Sequence, residues 1–427
     1  MEPTIEHRPT RALKPWKRNA RKHSKKQIRQ IADSIEAFGF TNPVLVDEAG
    51  SILAGHGRVE AAKFLQLETV PCVVLEHMTP TQKRAYVIAD NKLAENASWD
   101  DDLLSEELRE LLDLDDGFDV GLTGFLVPEI DALLDAGEPE QDADPELDRL
   151  PIEAPSRVRR GDLWALGPHR LICGDSLDPA TVDQLTAGEK ARMVFTDPPY
   201  NVPVDGHVGG LGAVKHREFA MASGEMSAEE FAAFLTTAFQ NLRKASVDGA
   251  IAFICMDWRH MSEMLAAGHK VFDELKNVIV WVKDNGGMGT FYRSRHELIF
   301  VWKSGSAPHL NTFELGQHGR YRTNVWEYRG VSSRSSTRDA ELALHPTVKP
   351  VAMIADAIRD VSARGEIVLD LFGGSGSTLI AAELTGRRAF LAEYDEIYCD
   401  RILARWEAFA KGEAELIARA TSEEDAA

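Results

Sequence analysis

The stretch Ile367-Val368-Leu369-Asp370-Leu371-Phe372-Gly373-Gly374-Ser375-Gly376-Ser377-Thr378 constrains the fold more than any other. An apolar run, a glycine loop and a helix start, in that order, read as the first half of a βαβ unit. The glycines let backbone approach a ligand closely, and the helix N-terminus favours a carboxylate or a phosphate. Arg388-Ala389-Phe390-Leu391-Ala392 reads as the returning strand, ending at Glu393. An acid about twenty residues beyond the first glycine is where such folds bind nucleoside ribose hydroxyls. A structural βαβ turn without ligand is the competing reading.

A second strand end carries a different pattern. Ala191-Arg192-Met193-Val194-Phe195 reads as a buried strand, followed by Thr196-Asp197-Pro198-Pro199-Tyr200-Asn201. Pro198 and Pro199 fix φ and stiffen the turn, so Asp197 and Tyr200 are held in place. Open α/β sheets bind ligands at the C-terminal ends of their strands. A carboxylate and an aromatic there suit a flat, polar-edged ligand, with Tyr200 on its face and Asp197 on its edge. The same four residues are also compatible with a plain turn.

At 427 residues, two or three domains are expected, and 44% hydrophobic residues suffice for real cores. No apolar run approaches a membrane span, and no apolar segment follows the basic N-terminus, so neither a span nor a signal peptide is expected. Cys72, Cys173, Cys255 and Cys399 are far apart with no Cys-x-x-Cys pair, which argues against a zinc site or a disulfide framework. No metal is expected, and the location implied is cytoplasmic. The formal charge of −20 is uneven. Residues 8 to 29 carry Arg8, Arg11, Lys14, Lys17, Arg18, Arg21, Lys22, Lys25, Lys26 and Arg29 with no acid between them, whereas 100 to 153 is crowded with Asp and Glu. Local sign matters more than the total when a polyanion binds one face.

The chain opens with this basic arm and a compact α/β pattern. Ser24 to Phe38 is helical in period, Pro43 to Val46 and Ser51 to Leu53 read as strands, and Gly55-His56-Gly57-Arg58 opens a helix expected over Val59 to Leu67. Such a loop can cradle phosphate, with Arg58 as the charge; a tight turn is the alternative. Asn42-Pro43-Val44-Leu45-Val46, Gly55-His56-Gly57-Arg58 and Val70-Pro71-Cys72-Val73-Val74 together resemble the ParB/sulfiredoxin-like N-terminal domain. That resemblance implies a small α+β domain and a nucleoside triphosphate as ligand. The loop holds no Cys, so sulfiredoxin chemistry is not expected, and no carboxylate cluster supports nuclease chemistry. Cys72 follows a proline, as the nucleophile of cytosine-C5 methyltransferases does, but lies inside an apolar strand and reads as a small hydrophobe.

Two helices are expected from Thr79 to about Asn96 and from Asp100 to Leu114. The domain reading is 1–95 with its arm, a helical extension 96–136, an acidic linker 137–155, a domain 156–412 and an acidic tail 413–427. Within 156–412, Leu163 to Leu166 and His169 to Cys173 read as a hairpin leading to Gly174-Asp175-Ser176. From about 283 to 340 arginines (Arg293, Arg295, Arg320, Arg322, Arg329) alternate with Phe291, Tyr292, Tyr321, Trp326 and Tyr328. Arginine with aromatics suits a nucleic-acid surface; an ordinary charged insertion is the alternative.

Asp197-Pro198-Pro199-Tyr200 first, the basic aromatic region next, His345-Pro346-Thr347-Val348-Lys349-Pro350 and then Phe372 to Gly376 resemble the β-group of DNA amino-methyltransferases. The resemblance runs from about Arg159 to Phe409 and implies a permuted Rossmann-like α/β sheet. It implies S-adenosyl-L-methionine as donor, held by Phe372, Gly373, Gly374, Ser375, Gly376, Ser377 and Thr378, with Asp370 beside them. Glu393 would take the ribose hydroxyls. His345, Thr347 and Lys349 would line the same pocket, and Asp175 would border it.

Asp197, Pro198, Pro199 and Tyr200 would be catalytic and double-stranded DNA the substrate, its target base flipped out. No covalent intermediate is required. Asp at the first motif position, with Asn201 after Tyr200, points to adenine N6. Cytosine N4 and a non-catalytic ParB-like DNA clamp are the alternatives. Chains pairing these two domains resemble proteins carried by phages and prophages, some within restriction-modification systems. The sequence leaves a homodimer open.

Overall fold

The computed structural model describes residues 4–114, 118–135, 156–202, 224–283, 291–312, 322–328 and 348–419. The chain divides into two compact units, Met1–Gly137 and Glu138–Ala427.

In the first unit the order is β1 (Ile5–Pro9), α1 (Lys25–Phe38), β2 (Val44–Val46), β3 (Ile52–Ala54), α2 (His56–Phe64), β4 (Thr69–Val74), α3 (Pro80–Ala94), α4 (Asp101–Asp113) and α5 (Val127–Asp135). The sheet runs β1-β4-β2-β3, with β2 parallel to β4. Val44, Val46, Ile52, Val59, Val70 and Cys72 form its core, so Cys72 is a buried thiol. Ser24 caps α1 by accepting from the Gln27 N–H at 3.1 Å, and Gly39 closes it in a positive-φ conformation. Helices α4 and α5 bury Leu108, Val120, Ile130 and Leu134 in a cluster of their own.

Two expectations change here. The basic arm contributes strand β1, paired antiparallel with β4. Helix α2 begins at His56, before the expected Val59, because Gly55 at φ +93° turns the chain and its carbonyl accepts from Val59 N–H at 3.1 Å. His56, Gly57 and Arg58 are therefore the first helical turn.

The second unit comprises β5 (Leu163–Leu166), β6 (His169–Cys173), α6 (Pro179–Thr186), β7 (Ala191–Thr196), α7 (Ala228–Lys244), β8 (Ser246–Met256), α8 (Met261–Val271), β9 (Glu274–Val282), β10 (His296–Lys303), β11 (Val325–Glu327), α9 (Val351–Val361), β12 (Ile367–Asp370), α10 (Ser377–Leu384), β13 (Arg388–Glu393), α11 (Glu396–Ala410) and β14 (Glu415–Ala418). They build a ten-stranded sheet in the order β11-β9-β10-β8-β7-β12-β13-β6-β5-β14. Strands β6, β13, β12, β7 and β8 run parallel, while β10 is antiparallel to both its neighbours. Glu415–Ala418, placed by sequence in an acidic tail, is an edge strand paired with β5.

Alternation along the central strands sends side chains to opposite faces. Met193, Phe195, Val368 and Leu391 pack with α9, α10 and α11. Val194, Leu369, Phe390 and Ala392 pack with α6, α7 and α8. The result is a permuted Rossmann-like sheet between two helical layers, with winding reversing between β12 and β7.

Candidate active site

The parallel strands deliver their C-terminal ends to one edge, and β7 and β12 are clamped together there. Asp370 accepts from Thr196 Oγ1 and from Thr378 Oγ1, each at 2.7 Å, and from the Phe372 N–H at 3.0 Å. Burial pushes its carboxyl up to about 7, against the pull of those two hydroxyls. The sequence reading put Asp370 in the donor pocket; its internal partners make it the brace between strand, loop and helix.

The glycine loop follows. Gly376 lies at φ +80°, and a Cβ there would sit 3.2 Å from Ile402, so both conformation and space call for glycine. Gly374 N–H donates to Glu393 Oε2 at 2.8 Å and Asp395 N–H to Oε1 at 2.9 Å. Burial raises the Glu393 carboxyl to about 7, opposed by those backbone donors. Arg405, 4% exposed, holds the loop from below, donating to the Ser375 carbonyl at 2.9 Å. Asp175 sits just past β6, accepting from Leu177 N–H at 2.8 Å, and the neighbouring Gly174 N–H reaches the Glu393 carbonyl. Phe372, Gly373, Gly374, Ser375, Gly376, Ser377, Thr378, Glu393 and Asp175 thus gather around one strand edge.

On the β7 side, Pro198 and Pro199 have no N–H to continue the ladder, and the chain leaves the sheet. Asp197 Oδ2 accepts from Lys349 Nζ at 2.5 Å, and Asp197 Oδ1 from the Tyr200 hydroxyl at 2.6 Å. Tyr200 OH also lies 3.1 Å from Glu297 Oε2, and Lys349 Nζ lies 3.2 Å from the same oxygen. Lys283 pairs with Glu297 Oε1. The Lys349 ammonium stands 5.4 Å from the Tyr200 ring centroid and 5.9 Å from that of Trp281.

Burial raises Asp197, with the Lys349 charge opposing. Burial would also raise Glu297, but Lys349 and Lys283 together hold it down at about 2. Lys349 loses solvation yet is held above its ordinary range by Asp197 and then Glu297. Asn201, at φ +51°, donates to the Met226 carbonyl at 2.8 Å and accepts from Gly224 and Met226 N–H. It pins the chain that returns to α7.

Lys349, read as part of the donor pocket, therefore faces Asp197. Arg293 and Arg295 are exposed near the start of β10, on the edge where β8 ends. Arg322, by contrast, donates to Asp360 and Asp356 at 3.1 Å each and lies over Trp326, so these contacts engage it within the domain. Arg320, Arg329, His345 and Thr347 lie outside the described residues. In the other unit, Arg58 folds back to donate to the Pro43 carbonyl at 3.3 Å while its Nε is buried without a hydrogen-bond partner.

Sequence reasoning missed Glu297. The available signal was a carboxylate at the second position of His296-Glu297-Leu298-Ile299-Phe300-Val301-Trp302, otherwise a buried strand. It also missed Arg405, and Trp258, whose indole N–H reaches Ser294 Oγ at 3.2 Å beside exposed Phe291 and Tyr292. Nothing in their spacing marks these residues.

A family model described as DNA methylase matches residues 191–404, half of the chain. A ParB N-terminal domain model matches 2–91, and a ParB-methyltransferase HTH domain model matches 102–160, over α4, α5 and the stretch read as helical extension and linker. The chain is 51% identical over 80 residues to the ParB-like nuclease domain-containing protein YnaK of Escherichia coli, covering 19% of this chain and 92% of that protein. It is 24% identical over 231 residues to the protein named "Putative methylase YubD" of Escherichia coli, covering 53% and 88% respectively. Among solved structures, the M1.HpyAVI–SAM complex aligns with a TM-score of 0.38 and 18% identity, over 55% of this chain and 98% of that one.

Proposed function

The chain belongs to the DNA methylase family, with S-adenosyl-L-methionine as cofactor, and from that premise we propose that it methylates the exocyclic N6 of adenine in duplex DNA. One observation carries the reading: the Thr196–Asp370–Thr378 clamp fixes Asp197 beside the glycine loop. Loop and acid fit the donor. The backbone of Phe372 to Gly376, with Ser377 and Thr378 at the helix start, would hold its methionine end. The Glu393 oxygens each accept one backbone N–H and keep lone pairs for the ribose hydroxyls. The bound cofactor supplies an electrophilic methyl group on sulfonium.

The chain's own residues must orient a poor nucleophile. An exocyclic amine delocalises its lone pair into the ring. Asp197 and the Pro198 carbonyl accept its two N–H bonds, which favours a pyramidal nitrogen with its lone pair toward the methyl. Tyr200 stacks on the extruded base and replaces lost base stacking. Adenine is favoured over cytosine N4 by Asp197 opening the motif and by the larger ring surface offered to Tyr200.

Arg293 and Arg295 contribute to a DNA surface within residues of about 283 to 340, with the cation of each set against phosphate. In the first unit, the α2 start at Gly55-His56-Gly57-Arg58 is a site for a nucleoside triphosphate. No helix among the described residues is long and apolar enough to cross a membrane, and we place the protein in the cytoplasm. Digesting duplex DNA treated with protein and cofactor to nucleosides, then weighing them, tests the base. N6-methyladenine is expected; N4-methylcytosine alone overturns the choice.

A further inference from the structure

The pocket holds a second carboxylate that the proposed chemistry leaves without a task. Glu297 is the second residue of β10, and its two oxygens meet Lys283, Lys349 and Tyr200. Lys349 is 5% exposed and shared between Asp197 and Glu297. Two carboxylates and two ammoniums thus make a set with no net charge, in which Lys349 is buried and the other three are partly buried. Such a set, with its hydrogen bonds made, is far cheaper to bury than a lone charge.

For Asp197 to accept an amine, its oxygens must be free to turn toward that amine while remaining ionised. Lys349 favours its ionised form but also occupies Oδ2, and Tyr200 occupies Oδ1. We infer that Glu297 is a positioning residue for methyl transfer: it retains the Lys349 ammonium and the Tyr200 hydroxyl as Asp197 turns to the incoming amine. Without Glu297, Lys349 follows Asp197 and stays on it. The carboxylate then becomes a weaker acceptor, although no group touching the base has been removed.

The electrostatics around Asp197 give this a signature of sign. The ionisable groups facing it are Lys349 ahead of α9, Glu297 on β10, Tyr200 on its own loop, Cys255 on β8 and Asp370 on β12, with Lys283 one step behind Glu297. Removing the Glu297 charge leaves Asp197 facing unopposed ammonium and makes it more acidic. Removing the Lys349 charge leaves Asp197 beside Glu297 and makes it less acidic. Loss of packing alone would not move the two variants in opposite directions.

The inference rests on the methyl-transfer reading. The experiment uses the full chain with labelled S-adenosyl-L-methionine and duplex DNA of mixed sequence, following single-turnover methylation from about pH 5 to 9. Glu297→Gln is expected to slow methylation by about tenfold or more at pH 7, leave cofactor affinity unchanged, and move the acidic limb down by about one unit. Lys349→Gln is expected to move that limb up by a similar amount, and Glu297→Asp to recover part of the rate. Glu297→Gln is close in volume, so it carries the test alone if Lys349→Gln does not accumulate as folded protein. An active wild type with an unshifted or upward-shifted limb in Glu297→Gln overturns the role of Glu297. A wild type that transfers no methyl group to any DNA overturns the methyl-transfer reading instead.

Discussion

Lys349 Nζ lies 2.5 Å from Asp197 Oδ2, joining the end of β7 to the segment that leads into α9. The lysine is 5% exposed, so this pair is not a screened surface contact. Removing one partner of a buried ion pair leaves the other charge uncompensated. Lys349→Met should lower unfolding free energy by about 3 kcal/mol, read as a shift in the urea midpoint. A shift below about 0.5 kcal/mol, the size of an ordinary surface change, would mean that the pair is not formed.

Arg293 and Arg322 separate two fates of arginine in one region. If Arg293 and Arg295 meet phosphates, each alanine variant should reduce the salt slope of DNA binding by about one. Arg322→Ala should leave that slope unchanged but destabilise the domain, because Asp356 and Asp360 lose the Arg322 contact. Equal slopes in all three variants and the wild type would remove Arg293 and Arg295 from the interface.

Glu393 predicts a pH-dependent donor affinity. Its carboxyl is pushed up to about 7, and the ionised form accepts ribose hydroxyls better than the protonated one. Donor affinity should therefore rise between about pH 6 and pH 8, with proton release on binding in the lower part of that range. Calorimetry in buffers of different ionisation enthalpy reads the protons directly. Glu393→Gln should bind more weakly, by about tenfold, and lose the pH dependence. A wild-type affinity independent of pH contradicts this use of Glu393.

Asp370 predicts a stability trend of defined sign. Its folded carboxyl sits near about 7, above the ordinary value of 3.8 for an unfolded aspartate. The folded state thus binds the proton more tightly. The contribution is complete below the unfolded value and is lost as pH rises through about 7. Glu393 contributes with the same sign. Urea midpoints of the cofactor-free protein should fall from about pH 5.5 to about pH 8, and Asp370→Asn should flatten part of that fall. A rise over this range in the wild type, or an unaltered slope in the variant, rejects the buried-carboxyl account.

Much of the scaffold was legible because its signals are local. The Leu163–Leu166 and His169–Cys173 hairpin, the run from Ile367 into the glycine loop and the strand ending at Glu393 are set by apolar alternation and turn residues. The β1 strand was hidden because its residues, Ile5-Glu6-His7-Arg8-Pro9, have the polar composition of an arm; pairing with β4 makes them a strand. Partnerships across long sequence separations were hidden for a different reason. Glu297 and Asp197 are brought near each other by register between β8 and its neighbours β7 and β10. No spacing along the chain encodes that register. Composition alone does not distinguish an arginine aimed at solvent from one that, like Arg322, pairs with the buried Asp360 and the half-buried Asp356.

The most direct test of the central claim follows methyl transfer and donor binding in the same Asp197→Ala protein. The proposed donor contacts lie mainly on β12, β13 and the glycine loop, and none of them is assigned to this side chain. The variant should bind S-adenosyl-L-methionine within about tenfold of wild type while labelled methyl incorporation into duplex DNA falls to background. Retained turnover in Asp197→Ala would contradict the assignment of this carboxylate as the group that orients the acceptor amine.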